Sequence, residues 1–322
     1  MSQEQYIYAV ARIRSKELAL LDKSVFEQLL SCKDYKECLR ILAEKGWGTS
    51  ADETAEEILL SEREKTWTLM RELVEDMSVF DTFLYEIDFH NLKAAIKQVY
   101  TSHEFDNIYL NNGIIEVETI YDAIKNHDFS ELPEYMQKSA EEAYDIQMHT
   151  GDGQLCDVIL DKATLDTIYK KGKETGNSLF SEYAELRVVI ADINIAIRGA
   201  KTGKGLEFYE KALAECDSLD IKQLTEAALT GVEEIYEYLK TTVYADAVEV
   251  IEESPSSFER WCDNLIIKHI QPQKYNPVSI SPLAAYILAR ENEIKSVRIL
   301  LSGKLNNLSE SVIRERLRDM YV

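Results

Sequence analysis

Three stretches of this sequence, residues 91–97, 192–198 and 292–298, resemble one another and are spaced about one hundred residues apart; we call them copies. Each copy ends in a basic residue, Lys97, Arg198 or Arg298, at offsets of 101 and 100 positions. A hydroxyl residue follows four positions later, and in the last two copies Gly-Lys comes next: Thr101, Thr202-Gly203-Lys204 and Ser302-Gly303-Lys304. Repetition at a fixed period indicates that one structural unit is reused. We therefore expect a pseudo-symmetric protein of the kind that usually binds and holds another molecule.

The repeat also predicts how the chain divides. A length of 322 residues corresponds to two or three folding units of roughly 100 to 150 residues each. We therefore predict three helical repeats, 1–113, 114–217 and 218–322, with the C-terminal helix packed back near the N-terminus.

Nearly every segment has helical periodicity, and almost none alternates as a strand would. Only five prolines and twelve glycines interrupt the chain, which favours long helices. The sequence Thr54-x-x-Glu57 predicts a capping box at the start of one helix. The fold class predicted is all-α. The copies lie on predicted helices 82–99, 178–201 and 283–301, and further helices are predicted at 155–170, 231–252 and 309–320.

Small residues stand in the middle of each copied helix, at Ala95, Ala196 and Ser296, next to a β-branched residue. This pattern is typical of a helix packed closely against a neighbour, and we interpret these positions as core.

Charge and cysteine content restrict the partners and the compartment. A formal net charge of −22 argues against nucleic acid and anionic lipid, which both require a basic footprint. The five cysteines are scattered and never form a Cys-x-x-Cys pair, which favours a reduced, cytoplasmic location. No apolar run approaches the ~18 residues that a membrane span requires, so no direct span is expected.

Catalytic patterns are absent from the sequence, and we predict no catalytic residue, cofactor or metal site. The segment 199–205 has the composition of a phosphate loop, but its glycine spacing is wrong and it follows a helix rather than a strand. The five histidines have no spacing typical of metal ligands. Acidic pairs such as Glu141-Glu142 lie in helical charge runs, where a solvated face is expected.

Several motifs, in the same order along the chain, resemble the C subunit of the archaeal and bacterial A/V-type ATPases, a family that includes the d subunit of the eukaryotic vacuolar enzyme. The motifs are Tyr6–Arg14, Leu39–Leu42 leading to Gly46-Trp47-Gly48, Asp88–Lys93, and Glu291–Arg298 with Gly303-Lys304. The resemblance implies an all-helical, funnel-shaped protein with three pseudo-equivalent domains around a central cavity. It also implies a non-catalytic rotor coupling role in H⁺ or Na⁺ transport. The D and F subunits of the central shaft and the membrane rotor ring would be the partners, on the cytoplasmic side of the membrane.

Repeat-equivalent basic residues are the candidates for contacts with these partners: Lys97, Arg198, Lys204, Arg298 and Lys304. The closing segment supports this hypothesis, since from Arg290 onward it contains seven basic and five acidic residues in an otherwise acidic chain. The competing interpretation is that cations near helix C-termini simply complement the helix dipole.

Two other classes of function remain open at this point. One is a free-standing cytosolic helical adaptor that binds a protein partner, although the usual solenoid repeats are much shorter than one hundred residues. The other is a helical enzyme with a buried acidic cluster, which would require perturbed carboxylates that converge in one pocket.

Overall fold

The computed structural model describes residues 5–48, 53–103 and 105–322, and these ranges contain helices and turns but no strand. The predicted all-α class is therefore confirmed for the described residues. They form two compact units. The first combines the described residues of Met1–Met77 with Asp246–Val322, and the second is Ser78–Ala245. The three-repeat funnel and its boundaries stay a prediction.

The described residues form sixteen α-helices, numbered in chain order. The first eight are α1 (Gln5–Glu17), α2 (Lys23–Ser31), α3 (Tyr35–Glu44), α4 (Ala55–Leu73), α5 (Tyr85–Thr101), α6 (Val117–Asn126), α7 (Glu134–Thr150) and α8 (Gly153–Glu174). The others are α9 (Ser178–Lys201), α10 (Leu206–Ala212), α11 (Ile221–Thr230), α12 (Val232–Lys240), α13 (Ala247–Glu253), α14 (Pro255–Ile270), α15 (Ser281–Leu305) and α16 (Glu310–Arg316). Short 3-10 helices lie at Met77–Phe83, Phe129–Glu131 and Gln271–Tyr275.

The first unit is organised around α15, which contacts α1, α3, α4, α14 and α16. Its core joins apolar residues from both ends of the chain, including Leu29, Leu42 and Trp47 from the beginning and Val297 and Leu300 from the end. The last helix, α16, lies against α2. Burial of these side chains removes their apolar surface from water, which is the main force that holds the two chain ends together.

The second unit is organised around α8 and α9, which lie side by side. Gly172 permits this close approach, because a Cβ atom added there would lie 2.4 Å from the Cβ of Ala184. One apolar cluster of the unit combines α5, α6, α7 and α8, with Phe89, Leu92 and Leu160 almost fully buried.

Several helix boundaries match their sequence signals. The capping box at the start of α4 is confirmed, since the Glu57 backbone N–H donates to Thr54 Oγ1 and the Thr54 backbone N–H donates to the Glu57 carboxylate. Helix α9 has the bounds predicted for the second copy, and the Asn177 side chain caps its N-terminus.

The prediction of a single helix over 231–252 is wrong, because the chain forms α12 and α13 with a turn between them. The hydroxyls of Thr241 and Thr242 donate to the carbonyls of Tyr238 and Leu239, which satisfies the last acceptors of α12 and ends the helix. Hydroxyl groups compete in this way with the backbone hydrogen bonds of a helix. The spacing of apolar residues, on which the prediction was based, contains no information about them.

Other helices differ in length from the prediction. Helix α1 was not predicted at all. Helix α15 begins earlier because Pro282 fits the first helical turn, and it continues through Gly303. Helix α8 is longer than 155–170 at both ends, and α16 is shorter than 309–320.

Candidate partner-binding surfaces

The middle of each copied helix is fully buried, as predicted. Ala95, Ala196 and Ser296 each have 0% of their surface exposed. The basic residue two positions after each of them is exposed. Each copy therefore presents one cation to solvent at the edge of a tightly packed helix.

Six positions before each basic residue, a side chain anchors the segment that follows the helix. Asn91 receives the backbone N–H of Leu110 at 2.8 Å, and Asp192 receives that of Ala214 at 3.1 Å. In the third copy, the Asn292 amide donates to the carbonyl of Asp319 at 2.9 Å. Sequence reasoning did not identify these anchors, although an Asn or Asp at the same place in all three copies was the available signal.

Lys97 and Lys204 both lie beside the first turns of α8. The Nζ of Lys97 is 3.1 Å from the carboxylate of Asp157. The Nζ of Lys204 is 3.1 Å from Gln154 Oε1 and 5.3 Å from the centroid of the Phe208 ring. The structure thus brings these two predicted contact residues to one end of α8.

Arg198 is the least constrained of the five predicted residues. It is exposed near the C-terminus of α9, and its guanidinium makes no hydrogen bond or ion pair with the described residues 5–48, 53–103 and 105–322. Its charge is available to a partner, although its position also complements the dipole of α9.

Arg298 and Lys304 belong to the first unit and have different environments. Arg298 is exposed and lies 2.9 Å from the carboxylate of Glu56. Lys304 is half-buried, and its Nζ donates to the carbonyls of Leu30 and Cys32, each at 2.6 Å. Since these carbonyls end α2, Lys304 completes the hydrogen bonding of that helix and is less available to a partner.

A buried ionic network in the first unit was not found from the sequence. The Nη2 of Arg290 lies 2.5 Å from Glu62 Oε2, its Nη1 pairs with Glu293, and its guanidinium lies 5.1 Å from the centroid of the Trp47 ring. Glu293 also accepts the backbone N–H of Leu21. The network joins α15 to α4 and to the turns before α2 and α4. The available signal was a charged pair, Arg290 and Glu293, one helical turn apart after a run of buried apolar residues.

Burial raises the pKa values of three carboxylic acids. The pKa of Asp88 rises to about 7, that of Asp192 to about 8 and that of Glu293 to about 7, each mainly through desolvation. Each acid accepts hydrogen bonds from a nearby backbone segment, and Asp88 receives the N–H groups of Ile114 and Ile115. The three acids belong to separate clusters, so they do not form the convergent acidic site that the enzyme hypothesis requires.

The described residues of the first unit line at least two cavities, and none of the three perturbed acids lines either of these two. The larger has a volume of about 390 Å³ between α13, α14 and the C-terminal segment, and Asp246, Arg260 and Lys268 contribute charges to it. The smaller, of about 240 Å³, lies between α14, α15 and α16 and contains Arg298.

The residues that the structure describes contain neither a metal cluster nor a membrane-spanning helix. Among the described residues, no three His, Cys, Asp or Glu side chains come together as they would around a metal ion. No helix in these residues is long and apolar enough to cross a bilayer.

Comparison with known proteins gives a match across almost the whole chain. The profile of the family described as ATP synthase (C/AC39) subunit matches residues 9–316. The C subunit of the V-type sodium ATPase of Enterococcus hirae is 25% identical over 317 residues, which cover 96% of this chain and 97% of that protein. The C subunit of the A-type ATP synthase of Methanocaldococcus jannaschii is 24% identical over an aligned region that spans 97% of this chain and 86% of that protein. A third relative, the C subunit of the A-type ATP synthase of Thermococcus kodakarensis, is 24% identical over an aligned region that spans 96% of this chain and 89% of that protein.

Proposed function

The chain belongs to the ATP synthase (C/AC39) subunit family, and on that premise we propose that it is a non-catalytic rotor coupling subunit of a V/A-type ATPase. In this role it links the central shaft, made of the D and F subunits, to the membrane rotor ring. Torque passes through it in either direction, so that ATP hydrolysis or synthesis is coupled to the movement of H⁺ or Na⁺.

The family match over residues 9–316 carries this proposal. The chemistry of the described residues is in agreement with a mechanical role, because the perturbed carboxylates are dispersed and each is occupied with backbone hydrogen bonds. We further propose that the three sequence copies correspond to three pseudo-equivalent domains around a cavity that receives the shaft. The protein would then lie on the cytoplasmic side of the membrane, held there through the other subunits.

A protein that couples shaft to ring must resist rotation against both of its partners. Its interfaces are therefore expected to combine buried apolar side chains with charge pairs that fix the rotational position of each partner relative to this chain. Lys97, Arg198, Lys204, Arg298 and Lys304 are our candidates for such pairs. Arg198 is the foremost of them, since its charge is exposed and not neutralised by any described residue, whereas Lys304 is occupied at the end of α2.

Isolation of the assembly tests the proposal. The tagged chain is recovered from its own cell membranes in mild detergent, and the proteins that accompany it are identified by mass spectrometry. We expect ATPase head subunits, shaft subunits and a small, very hydrophobic ring protein. Recovery of a single soluble protein in place of these would favour the free-standing helical adaptor.

A further inference from the structure

The smaller cavity of the first unit has an unusual charge for this protein. Three arginines, Arg298, Arg316 and Arg318, line it together with a single acid, Glu259. The chain as a whole has a net charge of −22, so a cavity lined by more basic than acidic side chains contrasts with the rest of the protein. We call this cavity, between α14, α15 and α16, the arginine pocket.

Arg316 has a charge that the surrounding chain does not neutralise. It is exposed at the end of α16, and its guanidinium makes no hydrogen bond or ion pair within the part of the chain that the structure describes. Arg298 has a partner, Glu56, at 2.9 Å, but the Glu56 side chain is 74% exposed. Such an exposed pair contributes little and is readily exchanged for another carboxylate.

Arg318 is buried and incompletely satisfied. Its side chain is only 1% exposed, and its Nε donates to Asp263 at 2.8 Å. Its Nη2 lies 3.3 Å from Glu259 Oε2 but makes no hydrogen bond. A buried donor without an acceptor is costly, and such groups are rare in native proteins. The carboxylate that stands over this donor, that of Glu259, belongs to a side chain that is 64% exposed.

We propose that the arginine pocket binds a carboxylate from an acidic segment of a partner protein, which displaces the Glu259 side chain. The incoming carboxylate would lie between Arg316 and Arg298 and complete the hydrogen bonding of Arg318 once Glu259 has moved. Arginine is well suited to this contact, because its planar fork can bind both oxygens of a carboxylate. Leu308 and Ile313 line the same pocket and provide an apolar wall for a neighbouring aliphatic side chain.

Size and charge favour a protein carboxylate over other anions. The volume of about 240 Å³ is below the roughly 300–1,000 Å³ of typical small-molecule sites, and it suits one or two side chains. A nucleic acid or an anionic membrane would meet the repulsion of the whole acidic chain, whereas a single carboxylate meets mainly the local positive potential. The inference names a contact for the proposed rotary role but does not depend on which protein of the assembly supplies it.

The test is a photo-crosslink in the assembly purified from its own membranes. Leu308, which is 39% exposed, is replaced by p-benzoylphenylalanine, and the crosslinked peptide is identified by mass spectrometry. We expect a partner peptide that contains Asp or Glu next to an aliphatic residue. In an Arg316→Glu background the yield should fall by at least about tenfold, because like charges then face each other. In a Glu259→Gln background it should rise, since the internal competitor is removed.

Arg40→Glu is the matched control, because Arg40 is an exposed arginine of the same unit that pairs with Glu44 on α3. It should leave the yield unchanged. Denaturant midpoints of the variants identify any that fail to fold. A yield that Arg316→Glu does not alter, a partner peptide without acidic residues, or competition by millimolar inorganic phosphate as strong as that by an acidic peptide would each overturn the proposal. Absence of ATPase subunits from the material purified with the unsubstituted chain would instead count against the rotary function, so the two failures are distinguishable.

Discussion

Asp192 receives the backbone N–H of Ala214 at 3.1 Å, at the position where the first copy has Asn91 bonded to Leu110. The second copy thus uses a carboxylic acid for the task that an amide performs in the first. Its other oxygen, Oδ2, is buried without a hydrogen bond. Burial raises the pKa of Asp192 to about 8, so the group is mostly protonated and neutral at pH 7.

This arrangement predicts a pH-dependent stability. The folded protein keeps a proton on Asp192 that the unfolded chain releases above a pKa of 3.8, so the free energy of unfolding falls as pH rises from about 4 to about 8. Asp192→Asn keeps the acceptor and removes the titration. Relative to the wild type, the variant should therefore gain up to about 1.4 kcal/mol per pH unit within this window.

Urea unfolding at several pH values measures this difference. Asp88 and Glu293 also have pKa values raised by burial, but they contribute equally to both proteins and cancel. Asp122→Asn, at an exposed carboxylate of α6, is the control and should show no such trend. A pH-independent difference between Asp192→Asn and the wild type would show that Asp192 is ionised in the folded protein.

The buried network around Arg290 predicts strong coupling between its members. Arg290→Met leaves Glu62 and Glu293 without their common cation, and we expect a loss of about 3–5 kcal/mol in the free energy of unfolding. Adding Glu62→Gln and Glu293→Gln to the same chain should recover part of the loss, because no buried negative charge then remains.

Chemical denaturation of the single and triple variants measures this coupling. Arg40→Met in the exposed pair with Glu44 is the control, and its cost should stay below about 1 kcal/mol. Equal losses for the single and triple Arg290 variants would mean that the side chain acts through packing rather than charge.

Gly203 and Gly303 occupy equivalent positions in the sequence but have different structural roles. Gly203 has a φ of +66° in the turn after α9, with open space around it. Gly303 lies inside α15, where an added Cβ would be 2.6 Å from Ile313 Cγ1. We expect Gly203→Ala to cost about 1 kcal/mol through backbone strain, and Gly303→Ala about 1–3 kcal/mol through overpacking against α16.

A second substitution separates the two causes. Ile313→Ala removes the atom that the new methyl group would meet, so it should reduce the cost of Gly303→Ala and leave that of Gly203→Ala unchanged. Thermal or chemical unfolding of the single and double variants gives these values. Additive effects for Gly303→Ala and Ile313→Ala would contradict the proposed clash.

Substitution should show that Lys304 has a structural role and that Arg198 contacts a partner. Lys304→Met removes the charged donor from two carbonyls at the end of α2 and should cost about 1–3 kcal/mol of stability. Arg198→Glu should cost only about 1 kcal/mol of stability, because it reverses a charge that complements the dipole of α9, yet weaken binding to the shaft or the ring. Unfolding curves and pull-downs with the purified partners measure the two effects. Unchanged binding by Arg198→Glu would remove that residue from the proposed interface.

Part of this structure could be predicted because it depends on local pattern. The bounds of α9, the capping box at Thr54 and the buried Ala95, Ala196 and Ser296 all follow from periodicity and helix-end chemistry. The turn between α12 and α13 depends on hydroxyl hydrogen bonds that apolar periodicity does not register.

The site was harder to predict because it depends on distant parts of the chain. Lys304 was assigned as a contact by its repeat position, but its role is decided by carbonyls at Leu30 and Cys32, which are 274 and 272 positions away. The partners of Arg290 and the arginine pocket likewise form only when the two chain ends pack into one unit. A sequence pattern reports the residue type at each position, whereas these sites are set by which segments meet.

The most direct test of the rotary role is ATP-driven ion uptake by vesicles that contain the ATPase assembly with and without this chain. We expect the assembly without the chain to hydrolyse ATP without ion uptake, because the shaft then turns without engaging the ring. Adding back the purified chain should restore uptake. Full ATP-driven uptake in vesicles that lack the chain would contradict the account.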